Sequence, residues 1–328
     1  MAGPSGACGI IHAGSFTSVT STRIAMSAAP SLKILLLMTR PGFLVATLVA
    51  CLLGMAVAVT LGHAINPLTA TSTILLALIA HASANVLNDY HDALNGADEI
   101  NTERIFPFTG GARFIQDGVV SINITRRYAL LLLAALVPAG LWLSAVTSPA
   151  LIVIGIAGLA IGWTYSAPPL QLMSRGLGEP AIALAWSLVV VGAACVQTQA
   201  LEPLAVMASA GFALLLANIL MINGFPDAAS DALAGKRTLV VRLGPDKGAL
   251  CYLLLAMLAH LWLVVLVGRA LLPPSCLVAL LSLPLSLSAA RRLWLQRREP
   301  SSLRAAIVLT IAAAVVHGLA LSAGLMLR

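Results

Sequence analysis

Nine long apolar stretches leave this chain few ways to fold. They cover residues 42–63, 68–87, 128–147, 149–165, 180–199, 203–222, 248–268, 273–290 and 304–327. Each is close to the roughly 20 residues that cross hydrocarbon as a helix. The stretches are continuous rather than alternating, which disfavours an outer-membrane barrel. Charged residues make up 9% of the 328 positions and apolar ones 59%, against roughly 25% and roughly 45–50% in soluble domains. So little charge cannot coat a water-soluble surface, which excludes a disordered chain, a fibrous protein and an ordinary soluble enzyme. The expectation is all-α: a polytopic bundle of nine transmembrane helices in a lipid bilayer.

Loop charges test that count and orient it. With nine spans, seventeen of the nineteen Lys and Arg residues fall on the side of the N-terminus, and only Arg269 and Arg328 fall on the other. The positive-inside rule places the N-terminus and its four companion loops in the cytoplasm. The net charge of +7 is therefore read as membrane anchoring, and no nucleic-acid partner is expected. Residues 1–34 stand apart. Their first part is rich in Gly, Ser and Thr and lacks the basic start, apolar core and cleavage site of a signal peptide. That segment is expected to be disordered or mis-assigned, with Met26 as an alternative start, and residues 35–328 form the membrane domain. The five cysteines are scattered and read as small hydrophobes, not as a disulfide or metal framework.

Twelve carboxylates remain, and they crowd at two points. Asp89, Asp92, Asp98, Glu99 and Glu103 follow the second stretch; Asp227 and Asp231 follow the sixth. Asp92-Ala-Leu-Asn-Gly96 and Asp231-Ala-Leu-Ala-Gly235 match at a constant offset, which sets Asn88 opposite Asp227, each four residues before its Asp. That spacing puts both oxygen-bearing side chains on one helical face. Two equivalent helix ends read as halves of one pocket, left by an ancient duplication. Clustered carboxylates repel unless protons or cations intervene. Magnesium takes oxygen ligands and bridges carboxylates to substrate phosphates, and Arg104, Arg113, Lys236 and Arg237 flank the clusters.

These residues resemble a known family. NDYHDALNGAD (88–98) and NGFPDAASDALAGKRTLVVRLG (223–244) are similar to the two Asp-rich motifs of the UbiA superfamily of intramembrane aromatic prenyltransferases. YSAPPLQLMSRGLGE (165–179) resembles its Y-x-x-P-P loop, and TRPGF (39–43) its usual start. The resemblance implies nine helices around a central cavity open to the cytoplasmic side, in the cell's inner (plasma) membrane. It also implies magnesium-dependent transfer of a polyprenyl group from an allylic diphosphate to an aromatic acceptor. Under it, Asn88, Asp92, Asp98, Asp227 and Asp231 hold the metal, and the four Asp residues carry catalysis. Asn88, Lys236, Arg237 and Arg113 bind the diphosphate, and Tyr165 and Arg175 help to close its pocket.

Two departures from the family pattern narrow the expectation. The third carboxylate, Asp98, comes two residues later than usual, with Gly96 in the usual place, and Gln171 and Ser174 replace basic residues of the third loop. The late Asp98 with GGARFIQDG (110–118) most resembles the branch that prenylates 1,4-dihydroxy-2-naphthoate for menaquinone. The alternative acceptor is another aromatic ring such as 4-hydroxybenzoate. A secondary transporter is the alternative from another class, disfavoured because every carboxylate lies at a span end or in a loop. His81 and Asn85, four apart on the second stretch, either line the cavity or bond to neighbouring helices.

Overall fold

Residues 30–327 are described by a computed structural model, so the expectation for the first 29 positions lies outside the described residues. Among the described residues every regular element is helical. In chain order they are α1 (Leu32–Met38), α2 (Pro41–Thr60), α3 (Pro67–Asn95), α4 (Ile122–Val146), α5 (Ala150–Ser166), α6 (Gly178–Thr198), α7 (Pro203–Leu233), α8 (Leu239–Gly268), α9 (Leu283–Gln296) and α10 (Arg304–Met326). A 3₁₀ segment, Pro274–Ser282, leads into α9, and the two together span Pro274–Gln296. Eight of these helices are long and apolar enough to cross a membrane, and α5 is apolar but has 17 residues.

Local chemistry sets the helix starts. Pro41, Pro67 and Pro203 stand at first helical positions, where the missing N–H costs nothing. Asn66 accepts from the backbone N–H groups of Leu68 and Thr69, and Ser121 from that of Ile124, each satisfying an otherwise unpaired donor. Two helices outrun their apolar stretches: α3 has 29 residues and α7 has 31. At 1.5 Å per residue each is roughly 45 Å long, well beyond the roughly 30 Å hydrocarbon layer. The excess carries the Asp-bearing turns out at one end of the bundle. Helix α8 begins earlier than its apolar stretch because Gly244, at φ 70°, and Pro245 let a short helical segment precede a kink.

Packing follows membrane rules, with small residues where backbones approach. A Cβ on Gly54 of α2 would meet the Val190 carbonyl of α6 at 2.3 Å, so only glycine allows that crossing. Phe212, Leu215, Leu53, Val190 and Ala259 are fully buried in the core shared by α2, α6, α7 and α8. Buried polar groups pair within it. The His260 Nε2–Ser282 Oγ (2.8 Å) and Ser282 Oγ–His317 Nδ1 (3.0 Å) bonds tie the 3₁₀ segment to α8 and α10. Cys51, Cys195, Cys251 and Cys276 are free thiols.

Candidate active site

The two Asp-bearing helix ends meet. Lys236, in the turn after α7, places its Nζ 3.0 Å from Asp92 Oδ1 of α3 and 3.0 Å from Asp231 Oδ1 of α7. The internal repeat is visible in the backbone: Gly96 and Gly235, at equivalent positions, both adopt the left-handed conformation, φ 77° and 78°, which stops each helix just past its Asp. On α3, Asn88 Nδ2 donates to Asp92 Oδ2 at 3.1 Å and to Ser166 Oγ at 3.3 Å. On α7, Asp227 is held from the other half of the chain. Its Oδ1 accepts from Asn101 Nδ2 at 2.6 Å, and its Oδ2 from the Gly110 N–H at 3.4 Å. Asn101 and Gly110 belong to the loop after α3, which crosses over to the second cluster.

Charges here are buried, and the surroundings decide their state. Burial works against the Lys236 ammonium, but Asp92 and Asp231 outweigh it and raise its pKa, so it stays charged. Asp98 in the loop after α3 is also shifted upward, which for a carboxyl favours the neutral form. Its burial and the nearby Asp92 carboxylate push its pKa up to about 7. Asp98 Oδ2 is buried without a protein partner, and a Cβ on Gly111 would lie 2.2 Å from it. Glycine therefore keeps open the space against that oxygen. An all-oxygen donor set with one unsatisfied buried oxygen suits a hard divalent cation. Among the described residues, no three His, Cys, Asp or Glu side chains converge as a metal site.

The cluster forms the polar end of a cavity of about 310 Å³ that continues between apolar faces of α2, α3, α5 and α6. Of the residues singled out from sequence, Asn88, Asp92, Asp98, Tyr165, Asp227, Asp231 and Lys236 line it. Arg113, Arg175 and Arg237 do not. Arg113 Nη1 donates to the Asp98 carbonyl at 2.8 Å, and Arg175 Nη2 to the Pro169 carbonyl at 2.9 Å. Arg237 is exposed, its backbone N–H bonded to the Ser174 carbonyl at 2.9 Å. These three organise loop backbone instead.

Two lining residues escaped the sequence reading. Arg40, just before α2, pairs with the buried Asp89 carboxylate and lines the cavity. Its signal was its place in TRPGF, where it counted only as a loop charge. Asn101 had no signal beyond lying in the loop that follows the first cluster.

The sequence profile of the UbiA prenyltransferase family matches residues 44–314. A 1,4-dihydroxy-2-naphthoate octaprenyltransferase from Bacillus subtilis (strain 168) is 28% identical over 297 residues, 90% of this chain and 93% of that protein. A protein of the same name from Escherichia coli (strain K12) is 30% identical over 212 residues, 62% of this chain and 67% of that protein. In fold, the chain is similar to a UbiA homolog from Archaeoglobus fulgidus solved with DMAPP and Mg2+. The TM-score is 0.57 at 15% identity, over 88% of this chain and 99% of that one.

Proposed function

The chain belongs to the UbiA prenyltransferase family, and from that premise we propose that it transfers a polyprenyl group from an allylic diphosphate to an aromatic acceptor, with magnesium as cofactor. One observation carries this reading: two carboxylate-bearing helix ends, drawn together on Lys236, close the polar end of a cavity that is otherwise apolar. Asn88, Asp92 and Asp98 hold metal from one side and Asp227 and Asp231 from the other. The homolog bound to DMAPP and Mg2+ supports that choice of ion. Bound magnesium supplies neutralising charge for the departing diphosphate.

The chain's own residues do the rest. The buried Lys236 and the half-buried Arg40 present cations to the diphosphate oxygens, and Tyr165 lines the same pocket as Asn88. The apolar faces of α2, α5 and α6 exclude water, so that the allylic carbon meets the ring rather than solvent. As the carbon–oxygen bond to diphosphate breaks, its electron pair leaves with the diphosphate; the ring supplies the pair for the new carbon–carbon bond, and then loses its carboxylate as CO2 (or, on an unsubstituted carbon, a proton), whose bonding pair returns to the ring.

For the acceptor we propose 1,4-dihydroxy-2-naphthoate, which the names of the two bacterial relatives support. The experiment offers purified protein one polyprenyl diphosphate, magnesium, and either this acid or 4-hydroxybenzoate, and compares initial rates. Faster use of 4-hydroxybenzoate overturns the acceptor, and absence of magnesium-dependent diphosphate release overturns the reaction. We further propose that α5 completes a ninth span, since 17 residues is the short end of the spanning range. On this reading the Asp end faces the cytoplasm in the plasma membrane. Single cysteines at the exposed Glu99 and Arg269 label from opposite sides if the reading holds, and from the same side if it fails.

A further inference from the structure

Along α3, His81, Asn85, Asn88 and Asp92 follow one another at spacings of four, three and four, so they share a helical face. All four line the cavity, but they differ in what they hold. Asn88 is engaged with Asp92 and Ser166. Asn85 Nδ2 donates to the Thr39 carbonyl at 2.9 Å and fixes the end of α1. His81 is held on one side only. Its Nδ1 bonds Thr47 Oγ1 of α2 at 2.8 Å, and its ring stands edge-on to Trp186 of α6, centroids 4.9 Å apart and planes at 85°. These contacts fix the ring, and its Nε2 has no partner among the described residues. Phe43, Ala46, Ala77, Ile182 and Val189 add apolar surface to the same cavity, and Arg40 and Asn85 lie on its lining toward the Asp end.

A polar atom held in place beside apolar surface suits a ligand that brings one polar atom to that depth. Counting 1.5 Å per residue, His81 lies about 10 Å along α3 from Asn88 and about 16 Å from Asp92. The diphosphate, held at the Asp end, does not reach it, and a hydrocarbon tail offers it nothing. An aromatic ring whose reacting carbon faces the allylic carbon spans the interval. We propose that His81 Nε2 hydrogen-bonds a ring oxygen of the hydroxylated aromatic acceptor, with Thr47 fixing the imidazole and Trp186 its plane. This rests on the prenyl-transfer reading and adds the acceptor's polar anchor to it.

The test separates the two substrates. In His81→Ala the KM for the aromatic acceptor rises roughly tenfold, the loss of one hydrogen bond, while the KM for the polyprenyl diphosphate stays within about twofold. His81→Gln recovers part of the loss, and Thr47→Val, which removes only the orienting hydroxyl, shows a smaller rise. 1-Hydroxy-2-naphthoate and 4-hydroxy-2-naphthoate, tested as competitive inhibitors, identify the oxygen. One of them binds wild type more weakly than the dihydroxy acid does, and that difference disappears in His81→Ala. An unchanged acceptor KM in all three variants, or equal rises for both substrates, overturns the assignment while wild-type turnover keeps the reaction standing. A wild type that prenylates no hydroxylated ring overturns both.

Discussion

The two Asp-bearing helix ends repeat one short sequence pattern, but the structure uses them differently. The α3 end is rich in charge and partly supplies its own neighbours: Asn88 and Asn95 of α3 bond Asp92, Arg40 from just before α2 pairs Asp89, and one oxygen of Asp98 is left without a protein partner. The α7 end has two carboxylates and borrows its support, since Asp227 is held by Asn101 and Gly110 from the loop after α3. The two pairs are similar in sequence; the crossing loop and Lys236 make them one asymmetric site. Asp92 thereby has partners on its own helix as well as Lys236, whereas Asp227 depends on the loop that follows α3.

The strongest way to break the comparison is at the shared bridge. Asp92→Asn and Asp231→Asn should each lower turnover about a thousandfold, because several kcal/mol of charge stabilisation are lost with either carboxylate. Magnesium-dependent diphosphate release by folded, membrane-inserted protein measures this, and near-normal rates in both would falsify a joint site. Lys236→Met should cost about a hundredfold in rate. It should also cost about 3 kcal/mol in stability, since two buried carboxylates lose their common partner. Thermal unfolding in detergent reports the second effect, and an unchanged midpoint argues against the bridge.

Borrowed support predicts a further inequality. Asn101→Ala should raise the apparent KM for magnesium about tenfold by freeing Asp227, whereas Asn95→Ala, whose equivalent in the other half is Ala234, should raise it only about twofold. Equal effects would mean that the two ends are supported alike. The smallest effect concerns pH. Asp98 has its pKa pushed up to about 7 by burial and Asp92, so it is protonated below that value and charged above it. Apparent magnesium affinity should therefore rise as pH goes from about 6 to about 8 and level off beyond. Asp98→Asn should flatten that profile, and an identical profile in the variant removes Asp98 from metal binding.

The long apolar runs and the Asp-Ala-Leu-x-Gly repeat made the helical bundle and the paired carboxylates legible, because both are periodic along the chain. Side-chain direction in the turns was not legible. Lys236 and Arg237 are neighbours in sequence, but one is buried between two carboxylates and the other is exposed. Arg113 and Arg175 likewise sit beside the motifs and serve loop carbonyls. Arg40 and Asn101 were hidden for the opposite reason. TRPGF marks Arg40 only as part of a helix start, nothing marks Asn101, and only the folded path of the chain carries them to Asp89 and Asp227. The extra length of α3 and α7 was also missed by hydropathy, since their last turns are polar but remain helical.

The Lys236 bridge bears on how such a protein is made. A nascent chain must settle α3 and α7 side by side in the bilayer with Asp92 and Asp231 facing one another. Lys236, 3.0 Å from each, leaves the trio with a single net negative charge instead of two. It follows immediately after the second of these helices in the order of synthesis, so the countercharge arrives with the last carboxylate. Lys236 thereby lessens the repulsion between Asp92 and Asp231 as the two helices come together, and leaves a negative pocket that still attracts a cation.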